Sequence, residues 1–268
     1  MTAHRVLALA AALAVAWPAA GAGEKIIIDQ GYDNQTRIAV VPFGTPDDDD
    51  AGIAPVVSFD LARSGQFDPL PPENMLSLPT RPEEVFFRDW RVLGVEYVVV
   101  GQMWELGEGE LVTAYHLLDV FNERELLSGR LAAPAAKRRD IAHRISDEVF
   151  EQITGIPGAF STRIIYVLAL DAGTPYARYR LELADSDGER ARTLFDSDQP
   201  LLSASWSPDA KRVAYVSFES GRQAVVIQDL VTGERTRVAE YRGLNGAPVF
   251  SPDGNRLALV LSRDGNPE

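Results

Sequence analysis

No cysteine occurs among the 268 residues, and histidine and methionine occur three times each. Without thiols the chain has no disulfide staples, no thiolate nucleophile and no cysteine-based metal site. Its cores must stand on packing alone. Positive charge is short as well: 26 Lys and Arg face 39 Asp and Glu, a formal net charge of −13 with a pI near 4.7. A sequence-independent grip on DNA or RNA needs a basic stripe, and this balance argues against one. No apolar run approaches the roughly 20 residues of a membrane span; Val6–Ala16 has 11. The Gly-x-Ser-x-Gly elbow of serine hydrolases and the glycine loops that cradle phosphates are also missing.

That apolar run has a context. His4 and Arg5 precede it and Ala20-Gly21-Ala22 follows it, the basic start, apolar middle and small-x-small end of a secretory signal. Cleavage is expected near Ala22, with the mature chain starting at Gly23 or Glu24; the alternative is an uncleaved anchor. With 46% apolar residues, the remainder is long enough for two domains with their own cores.

From Glu24 to about Phe160 strand and helix patterns mix. Ile38-Ala39-Val40-Val41-Pro42-Phe43 reads as a buried strand. Asp47-Asp48-Asp49-Asp50 then precedes Ile53, Val56, Val57 and Leu61 at helical spacing, with Asp50 expected as the cap and Gly65 as the stop. Val95–Val100, Leu111–Val120 and Arg124–Leu131 follow as strands. Ile141, Ile145, Val149 and Ile153 recur every four residues, predicting a helix over Lys137–Thr154 that Gly155 ends.

Past Gly158 helical periodicity vanishes and short strands alternate with turn dipeptides such as Asp187-Gly188 and Thr232-Gly233. Trp206-Ser207-Pro208-Asp209 with Val213–Val216 returns 44 residues later as Phe250-Ser251-Pro252-Asp253 with Leu257–Val260. A fainter echo sets Gly188-Glu189-Arg190 before Gly233-Glu234-Arg235. A period of about 40–50 residues marks β-propeller blades. The Ser-Pro-Asp turn is expected to join a blade's first two strands, with the preceding aromatic packed between blades. Two blades close no ring, so a longer protein is expected beyond Glu268. The α+β reading is therefore a signal at 1–22, a mixed-sheet α/β domain at 23–160, and the first blades of an incomplete all-β propeller at 161–268.

Chemistry-bearing residues are sparse. His4 leaves with the signal, His116 falls in a strand and His143 in a helix, none at metal-ligand spacing. As a calcium loop from Asp47, Gly52 fits the sixth position, but Ala51 and Ser58 fill the fifth and twelfth, and the match fails. Asp185-Ser186-Asp187-Gly188-Glu189 resembles half such a loop and reads as a hairpin between outer strands. No catalytic, cofactor-binding or metal residue is assigned.

Four stretches carry a family resemblance: Glu24-Lys25-Ile26-Ile27-Ile28-Asp29-Gln30-Gly31 leading to Ile38–Phe43; the helix and linker Ser146–Phe160; Trp206–Arg222; and Asn245–Gly254. In this order, after a signal, the chain resembles the TolB family, periplasmic propeller proteins of the Tol–Pal system. The resemblance implies a six-bladed propeller, monomeric at full length, and a non-enzymatic adaptor without cofactor that serves outer-membrane integrity and cell division. It implies binding of the outer-membrane lipoprotein Pal by channel-mouth loops, here Gln199, Leu201, Arg242, Leu244, Asn245, Gly246 and Ala247. It also implies that the mature N-terminal segment, here Glu24, Lys25, Ile26, Ile27, Ile28 and Asp29, engages the inner-membrane protein TolA. The three isoleucines suit strand addition to a partner sheet, although an ordinary N-terminal strand would look the same. Two further readings stay open: a secreted propeller hydrolase whose catalytic domain lies outside this chain, and a small-ligand sensor.

Overall fold

The computed structural model describes residues 35–45, 52–107 and 109–267. The acidic run Asp47–Asp50 and the segment Glu24–Asp29 lie outside them.

The first domain is built on a mixed sheet. Its elements are β1 (Thr36–Val40), α1 (Ile53–Arg63), β2 (Phe67–Pro69), α2 (Phe87–Val92), β3 (Tyr97–Leu106), β4 (Glu110–Asp119), β5 (Arg124–Pro134) and α3 (Arg138–Thr154). Strand order is β2-β1-β3-β4-β5, with β1 parallel to both neighbours and β3, β4 and β5 antiparallel. The parallel pair requires a crossover, which α1 provides.

Because both faces are covered, β1 is apolar throughout its core residues instead of alternating. On one face Ile38, Val40, Val99 and Leu117 pack against Val57 and Leu61 of α1 and Ile141, Ile145 and Val149 of α3. On the other, Ala39, Val41, Val98 and Val100 meet Leu70, Val85 and Trp90. At Gly101 a Cβ would stand 2.5 Å from the Phe43 ring, so the loop after β1 closes over the sheet only where the side chain is missing. The expected Asp50 cap is corrected: α1 starts at Ile53, and its N-cap is Gly52 at φ 77° without a side-chain cap bond.

The rest of the described chain is antiparallel β. Strands β6 (Arg163–Leu170), β7 (Arg178–Asp185) and β8 (Arg192–Ser197) form one sheet. A four-stranded meander follows, of β9 (Leu201–Trp206), β10 (Arg212–Ser217), β11 (Ala224–Asp229) and β12 (Arg235–Ala239). Then β13 (Asn245–Phe250) pairs with β14 (Leu257–Leu261). The meander is one propeller blade, and no sheet of the described residues closes on itself.

The Gly-Glu-Arg echo falls in the turns β7–β8 and β11–β12, so β6, β7 and β8 occupy the places of β10, β11 and β12. Leu181 of one blade and Leu201, Val213, Tyr215 and Val226 of the next share a core, with Trp206 packed against it. The aromatic before the turn thus sits between blades, as expected. Phe250 lies beneath the Arg212 guanidinium, 5.4 Å from ring centroid to Cζ.

The repeat recurs bond by bond. Ser207 Oγ donates to Asp209 Oδ1, Asp209 Oδ1 accepts the Lys211 N–H at 3.1 Å, and the Arg212 N–H donates to Ser207 Oγ at 2.9 Å. Ser251, Asp253, Asn255 and Arg256 repeat all three contacts. The residue after each aspartate is left-handed, Ala210 at φ 54° and Gly254 at φ 70°.

Candidate functional site

Two regions gather the residues that carry chemistry, and the first is the pair of loops feeding β9 and β13. Strands β9 and β13 contact each other across the blade boundary, and the loops before them hold the same place in the repeat. Gln199 is exposed, its N–H donated to Ser197 Oγ at 2.9 Å. Arg242, Leu244 and Ala247 are exposed and Gly246 is half-buried.

Burial corrects two of the expected contacts. Leu201 is 1% exposed and belongs to the core between blades. Asn245 is fully buried: its side-chain oxygen accepts the Tyr241 N–H at 2.8 Å and its amide donates to Tyr241 O at 2.7 Å. Neither side chain lies at the surface; Asn245 shapes the loop that carries exposed Arg242 and Leu244. Leu202 and Tyr241, within the expected loop segments Asp198–Ser203 and Tyr241–Pro248, are exposed, as is Val249 just after them. Ser203 and Ala247, 44 residues apart, both adopt left-handed φ, 53° and 47°, where β9 and β13 each lose register with the next strand. A repeated bulge of this kind re-aims the neighbouring side chains.

The second region is the junction of the two domains. Helix α3 carries two stripes. Ile141, Ile145 and Val149 enter the first domain's core, while Arg139, His143 and Asp147, also four apart, face the linker and the β7–β8 hairpin. Asp147 accepts the Phe160 N–H at 2.6 Å and the Ser161 N–H at 3.2 Å, fastening the linker to the helix. Arg63 of α1 donates to Ser186 Oγ at 2.7 Å, and that hydroxyl donates to Phe160 O at 2.7 Å. Arg190 pairs with Asp185 at 2.6 Å and with Asp140 of α3. The bond to Asp185 is the larger reason its guanidinium is held above the ordinary arginine range, against burial and with Asp140 adding to it.

His143 lies at the centre, 1% exposed. Its Nδ1 is 2.6 Å from Asp60 Oδ2, and its Nε2 faces Asp185 and Asp187 Oδ2 at 3.7 and 3.6 Å. A cavity of about 530 Å³ opens beside it, lined in part by Arg144, Glu148, Thr162 and Arg163. Asp60, His143 and Asp187 each bring one atom within 4.8 Å of the others. Guanidiniums already engage the carboxylates, however: Asp187 Oδ2 accepts from Arg139, neighbouring Asp185 Oδ2 from Arg190, and Asp60 Oδ1 from Arg63. The cluster is an ion-pair network. Asp185–Glu189 is the hairpin expected, and His143 the helical residue expected, but their meeting was not. The signal for it was the polar stripe Arg139, His143, Asp147 alongside the apolar one.

The architecture thus defines a class: a two-domain scaffold in which a mixed α/β domain is bolted to the first blade of a propeller. Residues 24–126 match the family profile described as "TolB amino-terminal domain", and residues 150–268 match "TolB beta propeller domain". The chain is 46% identical over 253 residues to the Tol-Pal system protein TolB of Alcanivorax borkumensis, covering 93% of this chain and 57% of the relative. It is 47% identical over 231 residues to that of Pseudomonas entomophila, covering 84% and 52%. The crystal structure of TolB from Acinetobacter baumannii superposes with a TM-score of 0.80 at 43% identity, over 88% of this chain and 57% of that one. The chain belongs to the TolB family, and it spans little more than half the length of these relatives.

Proposed function

We propose that this chain serves a non-enzymatic periplasmic adaptor of the Tol–Pal system, exported with a signal cleaved near Ala22. The adaptor links a Pal-like lipoprotein at the outer membrane with a TolA-like protein of the inner membrane, for envelope integrity and cell division. The observation that carries this reading is that equivalent loops precede β9 and β13, two strands in contact across the blade boundary. Gln199, Arg242, Leu244, Gly246 and Ala247 are the proposed Pal contacts, with Leu201 and Asn245 holding the loops in shape from inside.

Exposed Leu244 and Tyr241 beside Arg242 offer an apolar anchor with a cationic rim, a composition suited to protein docking. Glu24–Asp33 is the proposed TolA-binding segment. The names of the relatives, Tol-Pal system protein TolB, support the assignment. Calorimetric titration of the intact protein with its cognate Pal-like lipoprotein tests it: binding is expected, and no heat well above micromolar concentration overturns it.

A further inference from the structure

We propose that His143 is a proton-operated latch between the two domains: charged, it ties Asp60 of the first domain to Asp185 and Asp187 of the propeller hairpin, and neutral, it lets the hairpin go. The geometry leaves little choice of protonation state. With a proton on Nδ1 alone, the Nε2 lone pair faces two carboxylate oxygens at 3.7 and 3.6 Å. With a proton on Nε2 alone, the Nδ1 lone pair abuts Asp60 Oδ2 at 2.6 Å. Only the imidazolium presents an N–H in both directions. Nε2 is buried without a hydrogen-bond partner in the docked arrangement, so its proton is the one held by attraction to the two aspartates.

The surrounding charges agree. From α1 come Asp60 and Arg63, from α3 Arg139 and Asp140, and from the hairpin Asp185, Asp187 and Arg190. Four carboxylates and three guanidiniums leave one negative charge for the imidazolium to match. The outer cavity wall, Arg144, Asp147, Glu148 and Arg163, is balanced. A dication in place of the proton would stand against the guanidiniums of Arg139 and Arg190, which hold the same oxygens. The direction of the pH effect follows: a cation that gains partners on docking stabilises the docked state while protonated, and that contribution is lost as pH rises and the proton leaves.

The test uses the intact protein with ¹⁵N-labelled histidine, His143 being assigned by difference from His143→Gln. Ring-nitrogen NMR is followed from about pH 5 to about pH 8, where histidine titrates, together with amide protection in residues 156–162 and 185–190. Both His143 nitrogens are expected to carry protons at the acid end. Protection, corrected for intrinsic exchange, should fall by up to about tenfold per pH unit as the proton is released, and this dependence should vanish in His143→Gln. Asp187→Asn, which removes one facing charge, should move the midpoint to lower pH even if the histidine variant does not fold. A singly protonated His143 across the range, protection independent of pH, or an unmoved midpoint in Asp187→Asn would overturn the latch. Displacement of the Nε2 proton by added zinc at acid pH would do so as well, making the cluster a metal site.

Discussion

Arg63 on α1 and Ser186 in the β7–β8 hairpin stand 123 positions apart and are joined by a hydrogen bond of 2.7 Å. The same hydroxyl donates to Phe160 O, and the Ser186 N–H donates to Thr162 O at 3.1 Å. One serine thus binds the first domain, the linker and the first blade together. Ser186→Ala is expected to lower stability by about 1 kcal/mol and to raise amide exchange at residues 160–162. Chemical denaturation with exchange read by mass spectrometry checks both. Unchanged exchange there would mean that the junction is held elsewhere.

Gly158 lies where the linker crosses α3, and a Cβ there would fall on the Asp147 backbone. Its φ is not in the left-handed region, so the requirement is space. Gly158→Ala should push the linker off the helix and weaken the Asp147 bonds to Phe160 and Ser161, at a cost of about 1–3 kcal/mol. A melting curve matching the wild type would refute this packing argument.

Glu84 accepts the Thr80 N–H at 2.9 Å and the Arg81 Nε–H at 2.9 Å. These bonds, the Thr80 N–H first, hold its carboxyl down to about 2, against an ordinary value of about 4.3. A depressed acid contributes stability above its ordinary value and loses it as pH falls through the depressed one. Carboxyl-carbon NMR should therefore show Glu84 still ionised at about pH 3.5, with Arg81→Ala raising the midpoint part of the way. A midpoint in the ordinary range for wild type would contradict the geometry.

Legibility from sequence followed the length of the periodic signal. Four apolar residues spaced by four made α3 readable, and the β-branched run at Val95 gave β3. The Ser-Pro-Asp repeat gave the blade turns because its bonds are local, spanning five residues at most. Strand β2 has three residues and α2 six, too short for a period to show. Leu201 looked like a loop contact but is the first residue of an inner strand, where the neighbouring blade buries it. Asn245 looked available until its amide closed the turn from Tyr241. The junction was least legible, since Asp60, His143 and Asp187 come from three separate elements and meet only through tertiary packing.

The proposed TolA-binding segment makes a separable prediction. Deleting Glu24–Asp33 should abolish capture of a TolA-like partner in a pull-down while leaving Pal-like binding intact or stronger. Undiminished capture would remove the segment from the account.

The central claim is that the loops before β9 and β13 dock a Pal-like lipoprotein. The most direct measurement is calorimetric titration of the intact protein with the lipid-free domain of its cognate Pal-like lipoprotein, for wild type and for the double variant Arg242→Glu, Leu244→Asp. Both side chains are exposed, so the fold should survive the change. The account predicts wild-type binding that the variant weakens at least about tenfold, or about 1.4 kcal/mol. Equal affinity in the two proteins, or no binding by either, would contradict it.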